Sequence, residues 1–276
     1  MKRWSFIVGT VLIVLGVLAI LQTGLNVLGV AFRIGWIFWP LLLIGVGVWF
    51  LMGFSGGGFS RGGRTGLSRE QTSLPLEGAA EAAITVRHGA GRLTVGAGAG
   101  PDQLLTGSFG GGLDASRSTI AGRLTVDMRV KERDVSAFVP WGRGWAGGLD
   151  WDLSMNPSIP LFLRLETGAS ESHLSLTDLL VKELSIKTGA SSTTVDLPRA
   201  AGFTRVHVES GAAAVKIRVP QGVAASIQVK SALAGIHVDK ARFPHSAAGY
   251  ASTDYAGAAN KVEIYVETGV GSVDIY

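Results

Sequence analysis

The sequence predicts a hairpin of two membrane helices followed by an all-β region of stacked, solenoid-like strands. Three observations carry that reading. Two long apolar runs near the start contain no charged residue, a short turn motif recurs at a nearly fixed spacing later in the chain, and apolar residues alternate on both sides of each turn.

The turns are Thr167-Gly168-Ala169, Thr188-Gly189-Ala190, Ser210-Gly211-Ala212 and Ser231-Ala232-Leu233, with successive steps of 21, 22 and 21 residues. A fixed period of this size marks a repeat architecture. Around the turns the apolar positions have period two: Leu184 and Ile186 with Val195 and Leu197, Val206 and Val208 with Val215 and Ile217, Ile227 and Val229 with Ile236 and Val238. Period two means strands, and the intervening Lys187, His207, Glu209, Lys216, Arg218 and Lys230 put polar groups on the opposite face. Pro198, Pro220 and Gly222 break the strands and return the chain for the next coil. Such units bury nothing alone; stacked at strand spacing they share a continuous apolar interior.

An earlier copy of the unit runs through Ile84-Thr85-Val86, His88-Gly89-Ala90-Gly91 and Leu93-Thr94-Val95. Less regular strands follow near Gln103–Phe109, Ser118–Val126 and Met128–Val130, then a Gly-rich stretch from Asp134 to Asp152. That stretch carries Trp141, Trp145 and Trp151, the candidate partner-contact residues, because tryptophans in a loop offer large apolar anchors. The alternative is that they plug the interior. After Ala232 the rhythm pauses until Gly269, with an inserted loop near Phe243–Ala259, and a final unit holds Val262, Ile264, Val266, Val273 and Ile275. Stacked in chain order, the coils leave Val273–Tyr276 as an edge, open to self-association or capped by the inserted loop.

The chain is 47% apolar with mean hydropathy +0.33, more than a β domain needs, and the excess lies at the front. Trp4–Phe32 and Ile34–Ser60 are free of charge, each long enough to cross a bilayer, which predicts spans at 5–27 and 34–54. A secretory signal peptide is the rival for the first run, but that run is too long and a second follows at once. Trp36, Trp39 and Trp49 suit the membrane interface. Lys2, Arg3, Arg61, Arg64 and Arg69 flank the pair, against Arg33 between the helices. By the positive-inside rule both ends, and with them the β region, face the cytoplasm. The predicted divisions are 1–54 for the hairpin, 55–80 for a linker containing Gly56-Gly57-Gly58 and Gly62-Gly63, and 81–276 for the β domain.

Net charge is +4, yet residues 1–70 hold six basic residues against Glu70, so the β region is slightly acidic and offers no basic footprint for nucleic acid. There are no cysteines, which excludes thiolate and disulfide chemistry. Ser55 and Ser60 both match G-x-S-x-G, but a nucleophile elbow needs a strand before the serine and a helix after it, and here both lie at a membrane helix end or in the linker. Gly96-Ala97-Gly98 lacks the third glycine of a dinucleotide loop. Asp150 and Asp152 begin like a calcium loop whose obligatory glycine would fall at Met155. His207 and His237 both face outward, a weak pattern for a metal. The reading is therefore non-enzymatic, with no catalytic residue, cofactor or metal ligand assigned.

Two segments resemble a known bacterial family. Trp39-Pro40-Leu41-Leu42-Leu43-Ile44-Gly45 resembles the LiaI/LiaF-like transmembrane region. Trp151-Asp-Leu-Ser-Met-Asn-Pro-Ser-Ile-Pro160, then Leu163-Arg-Leu-Glu-Thr-Gly168-Ala and the later coils, resembles the toastrack β domain of LiaF-like cell-wall-active antibiotic response proteins. The resemblance implies a bacterial membrane protein in envelope-stress signalling, where relatives restrain a sensor kinase. Partners implied are the lipid bilayer, a membrane sensor kinase or other envelope-stress protein, and further copies of the chain. The departure is that this chain has one hairpin only. A structural or adhesin-like, self-assembling β-solenoid is the alternative function.

Overall fold

A computed structural model describes residues 69–131, 149–246 and 249–276. The predicted spans at 5–27 and 34–54, Ser55, Ser60, the linker glycines, Trp141 and Trp145 lie outside these residues. Among the described residues no helix is long and apolar enough to cross a membrane.

Thirteen strands form one hydrogen-bonded system among the described residues. The irregular half holds β1 (Arg69–Pro75), β2 (Glu81–Ala97), β3 (Gln103–Gly110), β4 (Leu113–Ile120), β5 (Arg123–Val130) and β6 (Trp151–Met155). The regular half holds β7 (Pro160–Ser175), β8 (Leu180–Asp196), β9 (Phe203–Arg218), β10 (Ala224–Val238), the short β11 (His245–Ser246) and β12 (Gly249–Ala251), and β13 (Lys261–Ile275).

β2, β7, β8, β9, β10 and β13 each run straight through the turn motif, and the inward-facing set changes parity there. In β9, Val206 and Val208 are buried before the turn and Val215 and Ile217 after it; in β13, Val262, Ile264 and Val266 give way to Val273 and Ile275. A single strand keeps one parity, so the change marks a corner that carries the chain from one layer to the next. β2 shows the two layers directly: Glu81–Arg87 pairs with β5, and Leu93–Ala97 pairs with β6. All these inward residues belong to one core.

The corner needs glycine because neighbouring coils approach there by their backbones. A Cβ on Gly269 would stand 2.6 Å from the Gly211 carbonyl oxygen, and one on Gly189 3.0 Å from that of Gly168. A Cβ on Gly168 would collide with the Gly89 carbonyl. β10 has Ala232 at this place, and there the regular column ends.

The order of the stack differs from chain order. The six long strands are parallel, but the sequence is β2-β7-β8-β9-β13-β10, with β13 inserted between β9 and β10. Ile264 thus lies across from Val206 on one side and Ile227 on the other. Asn260 seats the insertion: its Oδ1 accepts from the Gly202 N–H at 3.0 Å and its carbonyl accepts from the Ala224 N–H at 3.1 Å. At the other end the Val219 N–H donates to the Tyr276 carbonyl at 2.8 Å and the Asp239 N–H to that of Ile275 at 3.0 Å. The predicted edge at Val273–Tyr276 is therefore interior, because both sides of β13 are occupied.

Three further expectations change. The predicted linker, 55–80, includes β1, which pairs antiparallel with β3 and buries Leu74 in the core. The predicted strand Ser118–Val126 is a hairpin: Ala121 and Gly122 have φ of 51° and 79°, the two left-handed residues of a type I′ turn between β4 and β5. The inserted loop caps β10 rather than the chain end, with Ser226 and Ile227 paired to β12.

Candidate interaction surface

Trp151 is 1% exposed and belongs to the core, which corrects its reading as a partner contact. Its Nε1 donates to the Gly110 carbonyl at 3.0 Å, and its ring stands edge-on to Phe109 with centroids 5.0 Å apart. A buried indole needs such a partner for its one donor. Beside it, buried His88 directs Nε2 at the Leu149 carbonyl, 2.6 Å away, while Nδ1 has no hydrogen-bond partner among the described residues. Burial pulls the imidazole below its ordinary pKa; the bond to Leu149 and the nearby Asp150 push the other way.

Asp150 Oδ1 accepts from the Arg92 backbone N–H at 3.0 Å, which ties the chain to β2 at the place where a calcium loop would have begun. Two of the sequence's histidines do not meet: His207 sits on the first half of β9, His237 on the second half of β10, and β13 separates them. Asn156, to which the sequence reading assigns no role, is a fully buried staple. Its Nδ2 lies 2.7 Å from the Gln103 carbonyl and 3.1 and 3.3 Å from those of Gly100 and Pro101, and its Oδ1 accepts from the Ser158 N–H at 2.8 Å.

The outer face of the first layer carries a row of charges, one from each coil. Arg87 on β2 bonds Asp127 on β5 at 2.8 Å and Glu166 on β7 at 3.1 Å. Arg164 also reaches Glu166, and Lys187 on β8 reaches Glu209 on β9 at 2.7 Å. Partial burial raises the Glu166 carboxyl, but its bonds to Arg164 and Arg87 outweigh that and hold it below the usual range. Glu209 is lowered by Lys187 first and then by His207, whose Nε2 is 2.8 Å away. Parallel register makes this possible, because equivalent positions of successive coils fall side by side. The row borders an open groove of about 970 Å³ above the corner glycines. The signs alternate from Arg87 through Glu166 and Lys187 to Glu209, and Glu267 on β13 then lies opposite Glu209 with the same sign, so the row is suited to a polar partner of mixed charge.

At the end of the stack the surface is apolar. On β10, Leu233 is 79% and Ile236 41% exposed, and Val270 on the adjoining β13 is 52% exposed. The β12 hairpin covers the first half of β10; among the described residues no strand pairs with the outer side of its second half.

Two family models match the chain. The N-terminal domain of toast_rack matches residues 64–218, more than half of its length, and the C-terminal domain of the cell wall-active antibiotics response protein LiaF matches residues 171–275. The chain belongs to the LiaF-like toast-rack family. Its corner glycines and parallel coils are thus the toast-rack fold built from residues the sequence displays as a repeat. A crystal structure from Clostridium sporogenes, provisionally described as a cell adhesion protein, is similar with a TM-score of 0.67 at 18% identity, covering 75% of this toast-rack chain and 98% of that one. At that identity the likeness is one of fold. A second, from Bacteroides fragilis and provisionally described as an adhesin, has a TM-score of 0.28 at 6% identity over 76% and 97% of the two chains, and carries no argument. No curated protein matches.

Proposed function

We propose that this toast-rack protein is a non-enzymatic bacterial membrane protein that acts in the envelope stress response through protein contacts of its β domain. The observation that carries the reading is the match of residues 171–275 to the LiaF C-terminal domain, which spans most of the regular coils. The charged row on β2, β7, β8 and β9 is suited to such contacts: rigid strands hold Arg87, Glu166, Lys187 and Glu209 in a fixed pattern, and fixed polar patterns set specificity. The N-terminal apolar runs are read as the membrane anchor, the β domain is read as cytoplasmic, and a membrane sensor kinase or another envelope-stress protein is the proposed partner.

Deletion of the gene followed by challenge with cell-wall-active antibiotics tests the role: a changed induction of the response is expected, and an unchanged one argues against it. The contact itself is tested by reversing the row with Lys187→Glu and Arg87→Glu, which should abolish co-purification of the partner while leaving the fold intact. An adhesin-like, surface-binding role is the second reading, favoured by the exposed apolar residues of β10. A reporter placed after Tyr276 separates the two, since a surface-binding role requires an external β domain.

A further inference from the structure

The two ends of the stack are finished differently. At the far end, β1 and β4 each have one partner among the described residues. Both carry features that discourage strand addition: Arg69, Glu70 and Pro75 on β1, Asp114 and Arg117 on β4. At the near end, the second half of β10 reads Ser231-Ala-Leu-Ala-Gly-Ile-His-Val238, without Lys, Arg, Asp, Glu or Pro. The same edge is covered over Ser226 and Ile227 by the chain's own hairpin and beyond that has no paired strand among the described residues, with Leu233 and Ile236 exposed on it. A long uncharged edge that exposes apolar side chains is a template for another strand.

We propose that this half of β10 is a dimerisation edge whose occupant is the same segment of a second copy, paired antiparallel about a two-fold axis. The charge pattern selects the occupant. Head-to-tail stacking onto β1 or β4 would set Leu233 and Ile236 against the charged edges at the far end. Pairing with its own copy sets apolar against apolar. The direction follows from the flanks: Lys230 precedes the bare segment and Asp239 follows it, so antiparallel pairing brings each Lys230 toward the other copy's Asp239, whereas parallel pairing would oppose like charges. A two-fold contact of one patch with itself closes after two copies and does not grow into a filament.

The chain has no cysteine, so introduced thiols report this contact alone. Leu233→Cys, Ala234→Cys and Ile236→Cys are made singly in the full-length protein, with Glu70→Cys on β1 and Arg117→Cys on β4 as controls, and membranes are treated with a mild oxidant. In the register that sets Lys230 against Asp239, Leu233 faces the other copy's Ile236 and Ala234 lies diagonal to the other copy's Ala234. Covalent dimers are therefore expected from Ala234→Cys alone and from Leu233→Cys mixed with Ile236→Cys, with only background from the controls. Adding Leu233→Lys to the Ala234→Cys protein should reduce the dimer to that background, and because Leu233 is 79% exposed the fold survives this change. Three results would overturn the proposal: no dimer from any β10 variant, a mixed disulfide with a different protein instead, or dimers formed only when a β10 variant is mixed with a control variant, which means head-to-tail stacking.

Discussion

The rings of His207 and Tyr265 stack face to face, with centroids 4.9 Å apart and an interplanar angle of 2°. They lie directly opposite in register on β9 and β13, strands separated in sequence by the whole of β10 and its loop. This pair marks the out-of-order insertion on the outer face. Lys230 of β10 completes it from the other side, its Nζ 5.3 Å from the centre of the Tyr265 ring.

The insertion order predicts a cross-linking result. In a chain without cysteines, His207→Cys with Tyr265→Cys should form an intramolecular disulfide, because adjacent parallel strands hold paired residues within reach. His207→Cys with Gln228→Cys should not, since β13 lies between them. Thiol titration of the folded protein reads both. A disulfide in the second pair and none in the first would restore stacking in chain order.

The corner column predicts a contrast between glycines. Gly269→Ala forces a Cβ to within 2.6 Å of the Gly211 carbonyl and should cost about 1–3 kcal/mol, the range for overpacking a rigid site. Gly89→Ala meets nothing within 4 Å and should be nearly silent. Chemical denaturation of the two variants checks the difference, and equal losses would mean the coils do not touch at the corner.

His88 predicts a pH dependence. Its pKa is lowered in the fold, so as pH falls below the ordinary value of 6.5 the unfolded chain takes up a proton that the folded one resists. Unfolded chains then bind more protons, and stability declines through that window toward the lower folded pKa; above it the contribution is complete. Melting temperature should therefore drop between neutral and mildly acidic pH, and His88→Phe should flatten that part of the curve. The same slope in both proteins would assign it to other groups.

Asn156 predicts a cost that depends on donors rather than on size. Asn156→Leu removes the side-chain donor to the carbonyls of Pro101 and Gln103, while that of Gly100 keeps the Gln103 N–H, and Asn156→Asp replaces the donor with a second oxygen. Each should destabilise by more than about 1–3 kcal/mol, the penalty for one buried unsatisfied group. Denaturation midpoints check this, with Asn156→Asp expected to be the worse near neutral pH because its charge is buried.

The repeat itself was legible because it rests on local rules. Val206, Val208, Val215 and Ile217 announced strands with one buried face, and all four are buried. Thr-Gly-Ala announced corners, and the glycines stand where backbones meet. The hairpin at Ala121-Gly122 was missed because an alanine at positive φ carries little sequence signal. β1 was hidden by the glycines before it. Of the interaction surface, the residues of the charged row were visible as outward polar positions, but not their partners. Trp151 was readable equally as anchor or core, and only its contacts with Gly110 and Phe109 decide it.

Local pattern fixes the unit: period-two alternation and a glycine corner leave a strand one way to bury its face. The sequence also displayed the family, through the repeat and the Trp151–Pro160 segment. The tertiary structure alone decided the order of the units. Every coil presents nearly the same apolar interior to its neighbour, so pattern does not distinguish β10 from β13 as the strand beside β9. The choice is made by single contacts, the Asn260 clamp and the closure of Tyr276 against Val219. That choice leaves the uncharged half of β10, and not the final strand, at the open edge of the stack.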